Sequence, residues 1–183
     1  IEGKVLAMYA RGMSQRDISA TIQDIYGFEL SQDKISTITD AILDDVKEWL
    51  NRPLKPLYSF VFVDCIYVKM KNERGVVDNH AVYVLLGVDY EGFKEVIGLY
   101  ISPTESKSTW MKIFDSIKAR GVEDILFLSM DGVSGLEEGV HSIFPKTVVQ
   151  RCIVHLIRNA TKYIPSKYLK EFCVDCKAMY GAI

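Results

Sequence analysis

The spacing of apolar residues changes character once along this chain, near residue 52. Before that point apolar positions recur three and four apart, the period of a helix lying on a core. After it they fall in short continuous or alternating runs bounded by Gly, Asn and Asp, the pattern of strands. The first part predicts a short helix over about Lys4–Arg11, ended by Gly12. Ser14 followed by Asp17 resembles a capping box, with Asp in the usual Glu place, and opens a second helix that Gly27 stops after about Tyr26. Ser31 caps a third helix, on which Ile35, Ile38, Ile42 and Val46 share one face. Helix, glycine turn, helix and a further helix is the outline of a helix-turn-helix unit, and also of a generic small bundle. If the unit binds DNA, the first turns of the third helix suit it: Ser31, Gln32, Lys34, Ser36 and Thr37. Its later part carries Asp40, Asp44, Asp45 and Glu48, which phosphates would repel.

Arg52-Pro53-Leu54-Lys55-Pro56 interrupts both patterns and divides the chain into a helical segment, 1–52, and a second domain, 57–183. Strands are predicted near 58–70, 80–89 and 94–102, with turns at Asn72-Glu73-Arg74-Gly75 and Asp89-Tyr90-Glu91-Gly92. A helix follows at about 106–119, then a buried strand at 125–131. Ser134 and Glu137 form a second capping box, opening a helix through about Phe144. A strand at 147–153 leads into a basic helical region. This order predicts a mixed α/β sheet with flanking helices and a ribonuclease H-like outline.

Two aspartates stand out against that background. VFVDCIYVKM, residues 61–70, is apolar on both faces, so the strand is expected to be central and covered on both sides, with Tyr58, Phe60, Phe62, Asp64 and Ile66 on one face. A lone buried carboxylate at Asp64 costs several kcal/mol unless it is paired, hydrogen-bonded or metal-bound. Asp131 ends the strand ILFLSMD and precedes Gly132, where the backbone can turn. If the two strands are parallel neighbours, the aspartates meet at their carboxyl ends, where open α/β sheets gather ligand sites. Two such carboxylates repel unless a cation lies between them. Oxygen donors select hard Mg²⁺ or Mn²⁺, suited to phosphoryl displacement. The pattern alone leaves other roles open: Asp131 as a turn residue, and Asp64 paired with a buried Lys or Arg.

Composition is that of an ordinary globular chain, 49% hydrophobic and 25% charged, with no apolar run of membrane-spanning length and no signal-peptide pattern at the start. Four irregularly spaced cysteines argue against a disulfide scaffold and for a reducing, cytoplasmic setting. A net charge of −2 confines any nucleic-acid surface to a local patch. Lys146, Arg151, Arg158, Lys162, Lys167 and Lys170 make the end of the chain such a patch, or simply a solvated helix face.

FVDCIYVKM, HAVYVLLGVDYEGFKEVIGLY, LSMDGVSGLEEGV and VVQRCIVHLIRN together resemble the Mutator-type bacterial insertion-sequence transposases, and YARGMSQRDIS and EWLNRPL are similar to that family's preceding segment. The resemblance covers nearly the whole chain. It implies a ribonuclease H-like DDE domain in a bacterial, nucleoid-associated enzyme that moves transposon ends, with Asp64 and Asp131 as the first two acids holding Mg²⁺ or Mn²⁺. It also implies double-stranded DNA as partner, both transposon ends and target, no membrane association, and a homodimer or larger assembly. The third acid is a Glu beyond a helical insertion that follows the motif matched by Cys152 and His155. Glu171 and Asp175 lie too early, so residues 1–183 are expected to bind DNA but not to cut or join it alone. The same outline admits a metal-dependent nuclease or resolvase. A helix-turn-helix regulator is the non-enzymatic alternative. Cys152, His155, Cys173 and Cys176 have a spacing that could hold Zn²⁺, although Cys173 and Cys176 could equally be free cysteines sharing one helix face.

Overall fold

The computed structural model describes residues 1–71, 75–103, 106–132 and 136–181, in two units, Ile1–Arg52 and Pro53–Ile183. Serine caps organise the first. Helix α1 spans Glu2–Ala10, α2 Gln15–Tyr26, α3 Gln32–Asp40 and α4 Leu43–Asn51. Ser14 accepts the backbone N–H of Asp17 at 3.2 Å and donates its hydroxyl to the Asp17 carboxylate at 2.7 Å, so the N-cap half of the predicted box forms, while Asp17, shorter than Glu, takes the Ser14 hydroxyl instead of its backbone N–H. Gly27 closes α2 in the left-handed conformation at φ 73°, and Ser31 caps α3 through the Lys34 N–H. Val5, Ile18, Ile22, Ile35 and Ile38 form a core, with Leu6, Met8, Met13 and Leu30 packed against it.

The third helix is broken where the sequence pattern runs on. Ala41 and Ile42 separate α3 from α4, and Val46 is exposed rather than on the predicted apolar face. Two local effects end α3. The hydroxyls of Thr37 and Thr39 donate back to the carbonyls of Asp33 and Ser36, which weakens the ladder. Asp40 sits unfavourably at the negative end of α3, whereas Asp44 and Asp45 fall in the first turn of α4, where the helix dipole favours them.

The second unit is built on strands β1 Leu57–Lys71, β2 Val77–Val88, β3 Lys94–Ser102, β4 Asp124–Met130 and β5 Val148–Arg151. Helices α5 Lys107–Ala119, α6 Leu136–Ile143, α7 Ile153–Thr161 and α8 Leu169–Tyr180 complete it, with a 3₁₀ turn at Ser166–Tyr168 before α8. The sheet order is β3-β2-β1-β4-β5. β1 pairs antiparallel with β2 and parallel with β4, and β5 is parallel to β4. The last strand stops at Arg151 instead of residue 153, because Cys152 already serves as the residue before α7. Ser134 of the expected second capping box, and Asn72, Glu73 and Arg74 of the first turn, lie outside the described residues.

One sheet face carries the core: Val61, Val63, Tyr83, Leu85 and Leu128 pack against Trp110, Ile113, Phe114 and Ile117 of α5 and Val140 of α6. Tyr58 belongs to this buried face and not to that of Asp64, as the alternation had suggested. Its ring lies where a Cβ on Gly87 would sit, 2.7 Å away, so the missing side chain at Gly87 makes room for it. The opposite face is open. Phe60 and Phe62 are 46% and 44% exposed, Leu99, Ile101 and Phe127 are exposed beside them, and Phe60 stacks on Phe127 with centroids 5.1 Å apart. The expectation that β1 is covered on both sides is therefore not met by the described residues. Apolar side chains on both faces reveal that both resist water, not what packs on them.

The turn after β2 is held by Asp89, only 2% exposed. Its carboxylate accepts the N–H groups of Glu91 and Phe93 at 2.9 Å and pairs with the Lys55 ammonium. The hydrogen bond from Lys55 holds the Asp89 carboxyl below its ordinary value and holds the Lys55 ammonium above its own. A lowered carboxyl value contributes stability that is present above about pH 4 and is lost as pH falls through the folded value. Urea unfolding across pH 2–6 is expected to give a shallower acid limb for Asp89→Asn than for wild type, at lower stability at pH 6.

The two sheet faces also predict different mutational costs. Leu128→Ala should cost about 2–5 kcal/mol in the same assay, as in a close-packed core. Phe62→Ala should cost less than about 1 kcal/mol, as on an open surface. Equal losses would mean that the Phe62 face is covered in solution.

Candidate active site

The register between β1 and β4 places the two aspartates. Phe60 pairs with Phe127 and Phe62 with Ser129, so the same register two residues further brings Asp64 level with Asp131, just beyond the last ladder rung. β4 ends there while β1 continues along β2, and the step between them opens a cleft. The cleft encloses about 420 Å³ open to solvent and is lined by Val63, Asp64, Cys65, Tyr67, Trp110, Asp131 and Leu136.

Asp64 is not the buried charge that the strand pattern implied. It stands in the open series Phe60, Phe62, Asp64, and its side chain is 54% exposed. It therefore escapes the desolvation cost of an apolar interior, and among the described residues no Lys or Arg pairs with it. The two carboxylates are tethered alike. Asp64 Oδ1 accepts the N–H of Cys65 at 2.9 Å, and Asp131 Oδ1 accepts that of Gly132 at 2.7 Å. Each Oδ2 has no protein partner among the described residues. Two acids that share a cleft, each with one oxygen fixed by backbone and one free, offer oxygen donors suited to a hard divalent cation. Among the described residues no three His, Cys, Asp or Glu converge on a common metal position. Cys152, His155, Cys173 and Cys176 therefore do not assemble the zinc set that their spacing allowed.

A second cleft shares Asp131 as a wall and is completed by Gly132, Arg151, Cys152, Leu156 and Asn159. The Arg151 guanidinium lies 3.8 Å from where a Gly132 Cβ would be. Lys162 donates to Asn159 Oδ1 at 2.8 Å, and Arg158 is exposed on the same helix. Of the predicted residues, Asp64 and Asp131 thus share one cleft, Asp131 and Arg151 the next, and His155 of α7 lies 3.7 Å from Asp64. Ser31, Gln32, Lys34 and Thr37 are all exposed at the start of α3, although the Ser31 oxygen is engaged as a cap. Trp110 and Tyr67 in the first cleft went unnoticed in the sequence. Trp110 sits at helical spacing with Ile113, Phe114 and Ile117, which marks it only as core.

Fold and site together define a class: an α/β protein with two acids level with each other where the parallel β1–β4 pairing ends. The chain belongs to the Mutator family of transposases, whose family model matches residues 1–183. It is 44% identical over 181 residues to a probable transposase for an ISRM3-like insertion sequence element of Sinorhizobium fredii (strain NBRC 101917 / NGR234), covering 99% of this chain and 45% of that protein. The transposase for insertion sequence element ISRM3 of Rhizobium meliloti (strain 1021) is 42% identical with the same coverage. A probable insertion-sequence transposase of Corynebacterium diphtheriae is 36% identical over 182 residues, 100% of this chain and 53% of its own. This chain spans about half the length of these relatives. Among solved structures, the Drosophila P element transposase strand transfer complex aligns with 86% of this chain and 47% of that one, at 13% identity and a TM-score of 0.38. No helix among the described residues is long and apolar enough to cross a membrane.

The tethers make a prediction about the protein without metal. Asn keeps an Oδ1 that can accept the same N–H, so Asp64→Asn and Asp131→Asn should fold normally. Each also removes one of two neighbouring like charges. Thermal unfolding in EDTA should give melting temperatures equal to or above wild type, and a clear drop in either would mean that its carboxylate has a structural cation partner.

Proposed function

We propose that this chain carries the helical DNA-binding segment and the ribonuclease H-like DDE core of an insertion-sequence transposase. The observation that carries this reading is the parallel β1–β4 pairing that sets Asp64 and Asp131 in one cleft, in a chain of this family. Asp64 Oδ2 and Asp131 Oδ2 are the donors for Mg²⁺ or Mn²⁺. When bound, such ions activate a water or a 3′-hydroxyl and stabilise the leaving oxygen of a phosphodiester.

The remaining residues grip and orient DNA. Arg151 on the neighbouring cleft, with Arg158 on α7 and Lys162 at its end, forms the phosphate-contacting surface beside the acids. In the first unit, which we read as helix-turn-helix-like, Gln32, Lys34 and Thr37 contact double-stranded DNA, while Ser31 presents the helix start. The assembly that pairs two transposon ends is a homodimer or larger. Two-metal displacement needs both ions held about 3.5–4 Å apart, and two carboxylates do not fix both. On this reading the third acid of the full set is not among residues 1–183, so this chain by itself should bind end DNA without cutting it.

Calorimetry with Mn²⁺ and fluorescence anisotropy with labelled transposon-end DNA over a salt series test these points. Wild type should bind Mn²⁺, with binding lost in Asp64→Asn and Asp131→Asn. Arg151→Glu with Arg158→Glu should weaken DNA binding and flatten its salt dependence by about one unit of slope per lost phosphate contact. Metal binding that is identical in all three proteins defeats the assignment of the acids. An unchanged salt slope removes α7 from the DNA surface. Metal-dependent nicking by this chain, absent in Asp131→Asn, would put a third acid within it.

A further inference from the structure

Cys152 and His155 are joined by a spacing of one helical turn, and the structure shows what each end of that turn touches. The Cys152 N–H donates to the carbonyl of Met130 at 2.7 Å, the residue immediately before Asp131. That bond fixes the start of α7 to the end of β4. Three residues on, His155 returns to the same side of the helix, with its Nε2 3.7 Å from Asp64 Oδ1 on β1. Its side chain is only 20% exposed, and its Nδ1 is buried without a hydrogen-bond partner. Asp64 Oδ1 already accepts the Cys65 N–H. A second donor on the same oxygen, coming from α7, would fix the plane of the carboxylate and leave Oδ2 as its free atom.

We propose that His155 is a positioning residue: its Nε2–H is held against Asp64 Oδ1, so that Oδ2 is presented in a fixed direction to the divalent cation shared with Asp131. The Cys152–His155 turn then acts as a gauge between the two acid-bearing strands. Its backbone end is pinned beside Asp131 and its imidazole end is set against Asp64. At 3.7 Å the contact is longer than an N–H···O bond of about 2.7–3.2 Å, so a closure of well under one ångström completes it. Carboxylates that bind metals are commonly held in this way by an outer partner, whose loss weakens metal affinity by roughly 10–100-fold. The inference rests on the metal-binding reading of Asp64 and Asp131.

The test compares wild type, His155→Ala, His155→Gln and Asp64→Asn in the chain described here. Free Mn²⁺ is titrated by electron paramagnetic resonance, and the imidazole nitrogens are observed by long-range ¹⁵N NMR without metal. His155→Ala should weaken Mn²⁺ binding by roughly tenfold or more. His155→Gln, whose amide can donate over a similar reach, should restore most of it, and Asp64→Asn should abolish it. The His155 resonances should show the Nε2–H tautomer and should shift in Asp64→Asn. Wild-type affinity in His155→Ala, with binding still lost in Asp64→Asn, overturns the positioning role and leaves the metal reading standing. Failure of Gln to rescue also overturns it, since the imidazole would not then act as a hydrogen-bond donor. Mn²⁺ binding that survives Asp64→Asn defeats the metal reading instead. In that case imidazole resonances indifferent to Asp64→Asn dispose of the contact as well.

Discussion

The site in the second unit depends on one backbone pairing, the parallel ladder between β1 and β4. The two strands are separated in sequence by β2, β3 and α5, so no local preference brings them together. The pairing is secured by burial on the helix side, where Tyr58, Val61, Ile125 and Leu128 lie in one core with α5. Backbone bonds from Glu123 and Asp124 to the Pro56 carbonyl pin the starts of both strands. Since side chains alternate with period two, a slip of one residue would turn Asp131 to the wrong face. The core thus sets the register, and the register sets the acids.

The same alternation explains why two carboxylates can be tolerated on such strands. Asp64 shares its face with Phe60 and Phe62, yet that face is open to water along this part of β1, so the charge keeps much of its hydration. Asp89 shows the contrasting solution. It is buried, and it is satisfied by two backbone N–H groups and the Lys55 ammonium. One aspartate is spent on holding a turn. The other keeps an oxygen without a partner, which is what a ligand needs.

Much of this was legible from residue order. The helix caps at Ser14 and Ser31, the stop at Gly27, the break after Arg52, the turn at Asp89 and the alternation of strands and helices all express short-range chemistry, in which the deciding atoms lie within four residues of each other. The clustering of Asp64 with Asp131 could be stated only conditionally, since it required parallel neighbours. The break at Ala41 was missed because the apolar period continues across it. The deciding bonds, from Thr37 and Thr39 to backbone carbonyls, leave no mark on hydrophobic spacing.

The sequence by itself determined that Asp64 and Asp131 end or interrupt apolar strands, and that a basic helical stretch follows them. Only the tertiary structure decided their surroundings. The exposed state of Asp64, the contact from His155, the Arg151 guanidinium beside Gly132 and the Trp110 wall of the cleft each depend on residues from different elements, well separated along the chain. Periodicity records which side of an element resists water. It does not record which element arrives there, because that choice is made by the packing of the whole sheet and its helices, a sum over contacts that no short stretch of sequence contains.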